Sequence, residues 1–265
     1  MLRSIAGERW LVDDRGEGSS HPTLLFLHYF AGSSRAWSAV IDRLCPTRRC
    51  IAPDLPGFGD SDPGGTRFSV DDQADAVARL IAGLSLDRHV LVGHSMGGKI
   101  AMALAARRPP GLVGLVLLAP SPPSPEPMDE QGRSAALVAH GDRAAAEQTA
   151  QRIITRPVEA MIRQRVIDDS LRCSALAWRA WLSAGSREDL TARVGTISVP
   201  VTVAAGSDDH VLPPSVIERD VIRHFPGIRL EVIPGAGHLL PIECPDAVVE
   251  LLEKSGRAFG GERGG

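Results

Sequence analysis

The pentapeptide Gly93-His94-Ser95-Met96-Gly97 stands between two opposite periodicities, and that placement constrains the fold of this chain more than any other feature. Before it, His89-Val90-Leu91-Val92 is a short apolar run of strand type; after it, Ile100-Ala101-Met102-Ala103-Leu104-Ala105 is a run dominated by helix formers. The backbone must pass from strand to helix in one sharp turn, and glycines two residues either side of Ser95 leave room for it. A serine lifted out of such a turn is exposed, with the N-terminal amides of the next helix aimed at the same point. Its hydroxyl does not ionise alone at neutral pH, so nucleophilic use requires a neighbouring base. A serine N-cap on an ordinary helix explains Ser95 but not the paired glycines. The pentapeptide points to acyl-transfer chemistry.

The rest of the first half repeats the alternation. Residues 23–27, 49–52, 89–92 and 112–119 read as strands, and 34–44, 70–84 and the stretch after Ser95 as helices. Strand alternating with helix predicts a mostly parallel sheet flanked by helices, an α/β architecture whose sites lie at the carboxyl ends of the strands. The rhythm stops at Pro120-Ser121-Pro122-Pro123-Ser124-Pro125-Glu126-Pro127, where five of the chain's twenty prolines fall in eight residues. Helical patterns without strands follow at 143–154, 158–168 and 174–182. Strand and helix resume at 199–205, 215–224, 228–233 and 239–254. The expected organisation is a sheet domain of residues 1–120 and 197–256, an inserted helical cap of 121–196, and a flexible tail of 257–265.

At 265 residues the chain is long enough for a substantial core. A net charge of −3 without blocks of like charge recommends neither nucleic acid nor an anionic membrane as partner. No apolar stretch has the length of a membrane span and no signal-peptide apolar region opens the chain, so a cytoplasmic address is expected. Cys45, Cys50, Cys173 and Cys244 are irregularly spaced, so reduced, mostly buried thiols are expected rather than a disulfide framework or a zinc site.

A serine nucleophile needs a histidine in reach and an acid to fix the imidazole. Among eight histidines His238 stands out, in the glycine-rich loop Pro234-Gly235-Ala236-Gly237-His238 directly after an expected strand. His28 and His94 lie near the same sheet edge and are weaker candidates. Asp208 and Asp209 follow the 199–205 strand and are both candidates for the acid; an aspartate there also serves as a turn residue. Glu126, after the 112–119 strand, is a third. Lys99, one helical turn beyond Ser95, is expected to be solvated or salt-bridged.

These residues carry a resemblance. The chain resembles the α/β-hydrolase fold superfamily, in particular its cap-bearing esterase and non-heme haloperoxidase-like members, from about Leu24 to about Leu252. The elbow is G-x-S-x-G. Gly206-Ser207-Asp208-Asp209-His210-Val211-Leu212-Pro213 is similar to the family's G-x-x-D-x-x-x-P, which selects Asp209. Gly237-His238-Leu239-Leu240-Pro241-Ile242-Glu243-Cys244-Pro245 is similar to its G-H-x-x-x-x-E-x-P, which selects His238. Asp54-Leu55-Pro56-Gly57-Phe58-Gly59-Asp60-Ser61 matches its D-x-x-G-x-G-x-S loop.

The resemblance implies a cofactor-independent, metal-free serine hydrolase with Ser95 as nucleophile, His238 as base, Asp209 as acid, and the backbone amides of Phe30 and Met96 as oxyanion hole. The implied partner is a small-molecule ester or lactone. Where the family usually shows His-Gly before the Phe30 position, this chain has His28-Tyr29, so its only tyrosine departs from the pattern, either packing as an aromatic or lending its hydroxyl to substrate. His28, Tyr29, Trp37, Trp178, Trp181 and Leu239 are the expected pocket residues; the tryptophans would serve equally to bind cap to sheet. Serine at the elbow argues against dehalogenase and epoxide-hydrolase chemistry. The same three groups also support carbon–carbon bond hydrolysis or perhydrolysis, and a ligand-binding receptor that retains the site is the alternative from another class.

Overall fold

The computed structural model describes residues 1–5, 7–17, 21–62 and 68–259. Eight strands, β1 (Leu2–Ile5), β2 (Glu8–Arg15), β3 (Thr23–Leu27), β4 (Cys50–Pro53), β5 (His89–His94), β6 (Leu112–Leu118), β7 (Val201–Gly206) and β8 (Leu230–Ile233), form one sheet in the order β1-β2-β4-β3-β5-β6-β7-β8. The six strands from β4 to β8 run parallel, as the alternation predicts; β1 and β2 add an antiparallel edge. Parallel strands covered on both faces read as continuous apolar runs, and those of β3, β5 and β6 are of this kind. Leu25, Leu91 and Leu115 face one core; Phe26, Val92 and Val116 face the other.

Helices α1 (Ser38–Leu44), α2 (Val70–Gly83) and α3 (Met96–Ala105) cross between the first strands. α2 starts at a capping box, with Ser69 and Asp72 satisfying each other's amides, and buries Val70, Ala74, Val77, Leu80 and Ile81 against the sheet. Between β6 and β7 the chain runs through α4 (Glu130–Val138), α5 (Arg143–Ile153), α6 (Ala160–Arg172), α7 (Ala175–Ser183) and the short α8 (Thr191–Val194) without adding a strand. After β7 come α9 (Pro214–Asp220), β8, α10 (Leu240–Glu243) and α11 (Pro245–Phe259). Among the described residues no helix is long and apolar enough to cross a membrane.

Several elements differ from expectation. The expected 239–254 helix is two helices, because Pro245 has no amide to continue the first and disfavours helical backbone at Cys244 (φ −145, ψ 59). Residues 257–259, expected in the tail, complete α11: Phe259 is 4 % exposed, and its ring covers Gly114, whose absent Cβ would lie 2.4 Å away. The remaining tail, 260–265, lies outside the described residues. The β1–β2 hairpin and α4 have no counterpart among the expected elements.

The switch in strand order sits at β3, which has β4 on one side and β5 on the other. The loops leaving β3 and β5 therefore diverge and leave a crevice at the strand ends. Phe30 follows β3 there, and Ser95 follows β5.

Candidate active site

Ser95 joins β5 to α3 with φ 52° and ψ −117°, a backbone conformation that costs a non-glycine residue roughly 1–3 kcal/mol and persists only where the surroundings enforce it. They enforce it by close approach. A Cβ on Gly93 would lie 2.5 Å from the carbonyl oxygen of Gly97, and one on Gly97 would lie 2.4 Å from that of Leu27. Glycine at both positions lets α3 start directly above the sheet, with Met96 as its first residue and its amide among those a helix N-terminus leaves without an intrahelical partner.

His238 Nε2 lies 3.0 Å from Ser95 Oγ, and its Nδ1 lies 2.8 Å from Asp209 Oδ2. The other Asp209 oxygen accepts the amides of Val211 (2.7 Å) and Leu212 (2.9 Å). Burial alone would raise the Asp209 carboxyl, but His238 and these two amides outweigh it and hold the group below the usual carboxylate range. Asp208 points to solvent and accepts only from Ser207 Oγ. Glu126 lies in the wall of the same crevice without reaching the Nδ1 that Asp209 occupies. Burial pushes its carboxyl up, and the nearby Lys99 and His238 offset this only in part.

The loop holding His238 is fastened by Glu243, which is not among the sequence candidates, and by His94, a weaker candidate for the base. Glu243 Oε2 accepts the amides of Thr155 (2.9 Å), Arg156 (2.8 Å) and Gly237 (3.1 Å), while Oε1 accepts that of Leu239 (2.9 Å). Beneath the loop, His94 Nε2 donates to the carbonyl of His238 at 2.8 Å. A carbonyl only accepts, so the proton is on that nitrogen. Burial depresses the His94 pKa to about 3, which keeps the ring neutral. The acidic residue in the G-H-x-x-x-x-E-x-P pattern was the available signal for Glu243; nothing in the sequence pairs His94 with a residue 144 positions away.

The crevice encloses a cavity of about 170 Å³, with Ser95 and His238 in its lining. Tyr29, Phe30, Trp178 and Trp181 contribute its aromatic wall, with Phe30 packed on Trp178 (ring centroids 4.9 Å) and stacked on Trp181 (6.2 Å). The expected pocket residues His28, Trp37 and Leu239 do not line it. His28 is fully buried behind the loop, its Nδ1 donating to the Tyr29 carbonyl (2.8 Å) and its Nε2 accepting from the Leu55 amide (3.0 Å). Trp37 is fully buried against Phe26, with ring centroids 4.8 Å apart, and Leu239 is fully buried with its amide turned to Glu243. Strand-end position alone does not distinguish a residue facing the crevice from one facing the core.

Lys99 also departs from expectation. It is fully buried, and Nζ donates to the carbonyls of Ser124 (3.1 Å) and Ser186 (3.5 Å), so it is neither solvated nor paired at hydrogen-bond distance with a carboxylate. Burial lowers its pKa to about 8 against the opposing pull of Glu126, Glu188 and Asp189.

A doubly wound sheet with a strained serine at its switch point, in hydrogen-bond series with a histidine and an aspartate, defines an enzyme of the α/β-hydrolase fold. The chain belongs to the alpha/beta hydrolase family, whose profile it matches over residues 24–251. It is 29 % identical over 252 residues to the 2-succinyl-6-hydroxy-2,4-cyclohexadiene-1-carboxylate synthase of Serratia proteamaculans, covering 91 % of this chain and 95 % of that protein. It is 28 % identical over 254 residues to the pimeloyl-[acyl-carrier protein] methyl ester esterase of Nitrosomonas europaea, covering 91 % and 97 %. Among solved structures, an esterase from Exiguobacterium antarcticum shares the fold with a TM-score of 0.87 at 21 % identity, covering 97 % of this chain and 98 % of that one.

Proposed function

We propose that the protein is a serine hydrolase of small or medium carboxylic esters or lactones, acting through an acyl-enzyme. The observation that carries this reading is the unbroken series Ser95 Oγ, His238 Nε2, His238 Nδ1, Asp209 Oδ2 at 3.0 and 2.8 Å. His238 takes the Ser95 proton as Oγ attacks the substrate carbonyl, then returns it to the departing alcohol. Asp209 steadies the imidazolium. The amides of Met96 and Phe30 receive the oxyanion, and water, activated by the same histidine, releases the acid. The helical stretch 121–196 acts as the cap that closes the crevice. The methyl ester esterase among its relatives supports the ester reading.

The cavity volume supports a modest substrate: an apolar cavity of about 150 Å³ accepts benzene, so about 170 Å³ suits a short acyl group or a small ring. The test is turnover of short p-nitrophenyl esters by the purified protein and by Ser95→Ala. The wild type should show turnover that Ser95→Ala loses by about four to six orders of magnitude, with an unchanged melting curve. Appreciable activity surviving in the variant overturns the nucleophile assignment, and ligand binding without any Ser95-dependent product overturns the hydrolase reading.

A further inference from the structure

A second cavity, of about 150 Å³, lies beside the one that holds Ser95, and among the described residues Tyr29 is the single one common to the linings of the two. Arg35, Ala36, Val166, Asp169 and Ile242 contribute to the walls of the second cavity, which contains none of the groups in the Ser95–His238–Asp209 series. Tyr29 is held firmly in this position. It is 5 % exposed, its ring lies 5.4 Å from that of His94, and it covers Gly32 so closely that a Cβ there would lie 2.6 Å from Tyr29 Cε1. Burial, and after it the neighbouring Asp169, raise the phenol's pKa.

We propose that Tyr29 is a specificity-determining partition: its ring closes the reactive cavity against the second one and restricts the substrate group on that side of the scissile bond to a short chain. The proposal rests on the hydrolase reading for its substrate class, and on the two linings for its geometry. A glycine at this position, as in the family pattern, would leave the two cavities continuous past the serine. The apolar part of the second cavity, Ala36, Val166 and Ile242, suits an alkyl chain threaded beyond the reaction centre. Each methylene that gains burial there should raise kcat/KM about fourfold.

The experiment compares wild type, Tyr29→Phe and Tyr29→Ala on two ladders, p-nitrophenyl esters of acids from two to ten carbons and acetates of alcohols of the same lengths. Wild type and Tyr29→Phe should favour the short members of both, because both keep the ring. Tyr29→Ala should move the optimum of one ladder to longer chains, with at least a tenfold rise in the ratio of long to short kcat/KM. If Tyr29→Ala fails to fold, Tyr29→Val takes its place. The same ladder is read without catalysis in Ser95→Ala, as the melting-temperature rise given by straight-chain methyl ketones with and without the Tyr29 ring. A folded ring-deleted variant whose chain-length profile is unchanged on both ester ladders and on the ketones overturns the partition. Absence of ester turnover in the wild type, with the ketone ladder still extended by removal of the ring, overturns the hydrolase reading and leaves the partition standing.

Discussion

Asp208 and Asp209 are adjacent, chemically identical, and equally acceptable as turn residues after a strand, yet the fold gives them opposite surroundings. Asp209 is 2 % exposed and spends both oxygens, one on His238 and one on two amides; Asp208 bonds only its neighbour's hydroxyl in solvent. Asp209→Asn should therefore lower kcat by about 10⁴, as expected where an amide can stabilise the wrong imidazole tautomer, while Asp208→Asn stays within a few-fold of wild type. Steady-state kinetics on one ester checks both, and equal losses would remove Asp209 from the acid's role. Ser95, His238 and Asp209 were legible because each lies inside a spaced motif. Glu243 was legible as a letter of a motif but not as a clamp, since two of the amides it holds, those of Thr155 and Arg156, come from the end of a helical stretch nearly ninety residues earlier. Glu243→Ala leaves four amides without this acceptor, each worth about 1–3 kcal/mol where it stays buried and unpaired. The expected outcome is a fall in both melting temperature and kcat with KM little changed, measured on the same ester.

At the scale of elements, β3, α2, β5, α3 and β6 were legible because period and length agree along each of them. The hairpin β1–β2 was not: its apolar residues, Leu2, Ile5 and Trp10-Leu11-Val12, stand among arginines, a glutamate and aspartates, and an edge pair whose Arg3 and Asp14 form an ion pair, joined by Arg49 just before β4, lacks the longer apolar run that marks a buried strand. The Lys99 misreading has the same origin in reverse. A lysine in a helical pattern reads as surface, and only the arrival of Ser124 and Ser186 over α3 buries it. Its pKa of about 8, against the ordinary 10.5, fixes a sign. Below pH 8 both folded and unfolded chains carry the charge and folding bears the whole cost of burying it. Between about pH 8 and 10.5 the folded protein releases the proton while the unfolded chain retains it, so this group's contribution to stability rises with pH across that window. Lys99→Met removes the proton uptake; urea midpoints from pH 7 to 10 should rise more, or fall less, for wild type than for the variant, and parallel curves would place the ammonium in contact with water.

At the scale of the whole molecule, the doubly wound sheet and the helical stretch between β6 and β7 were readable from the alternation and its interruption at the prolines, but the joints between them were not, because every joint pairs residues distant in sequence. Phe30 against Trp178 and Trp181, Glu243 with Thr155, Lys99 with Ser186, and Asp169 with Ser33 fasten the helices over the strand ends. Asp169 on α6 is the most concentrated of these joints: it accepts from Ser33 Oγ at 2.7 Å and pairs with Arg35 and Arg172, and Ser33 follows the same loop that carries Tyr29 and Phe30. Its carboxylate is almost wholly buried, but the two arginines are about one third exposed, so water screens part of the attraction. Asp169→Ala should consequently cost about 1–3 kcal/mol, less than the loss of a fully buried pair. That cost should fall on the joint rather than on the sheet. Amide exchange in α5 and α6 should accelerate while β5 and β6 keep their protection, and kcat/KM should fall as the Tyr29–Phe30 loop loses its tether. Uniform acceleration across all these elements would mean that helices and sheet open as one cooperative unit.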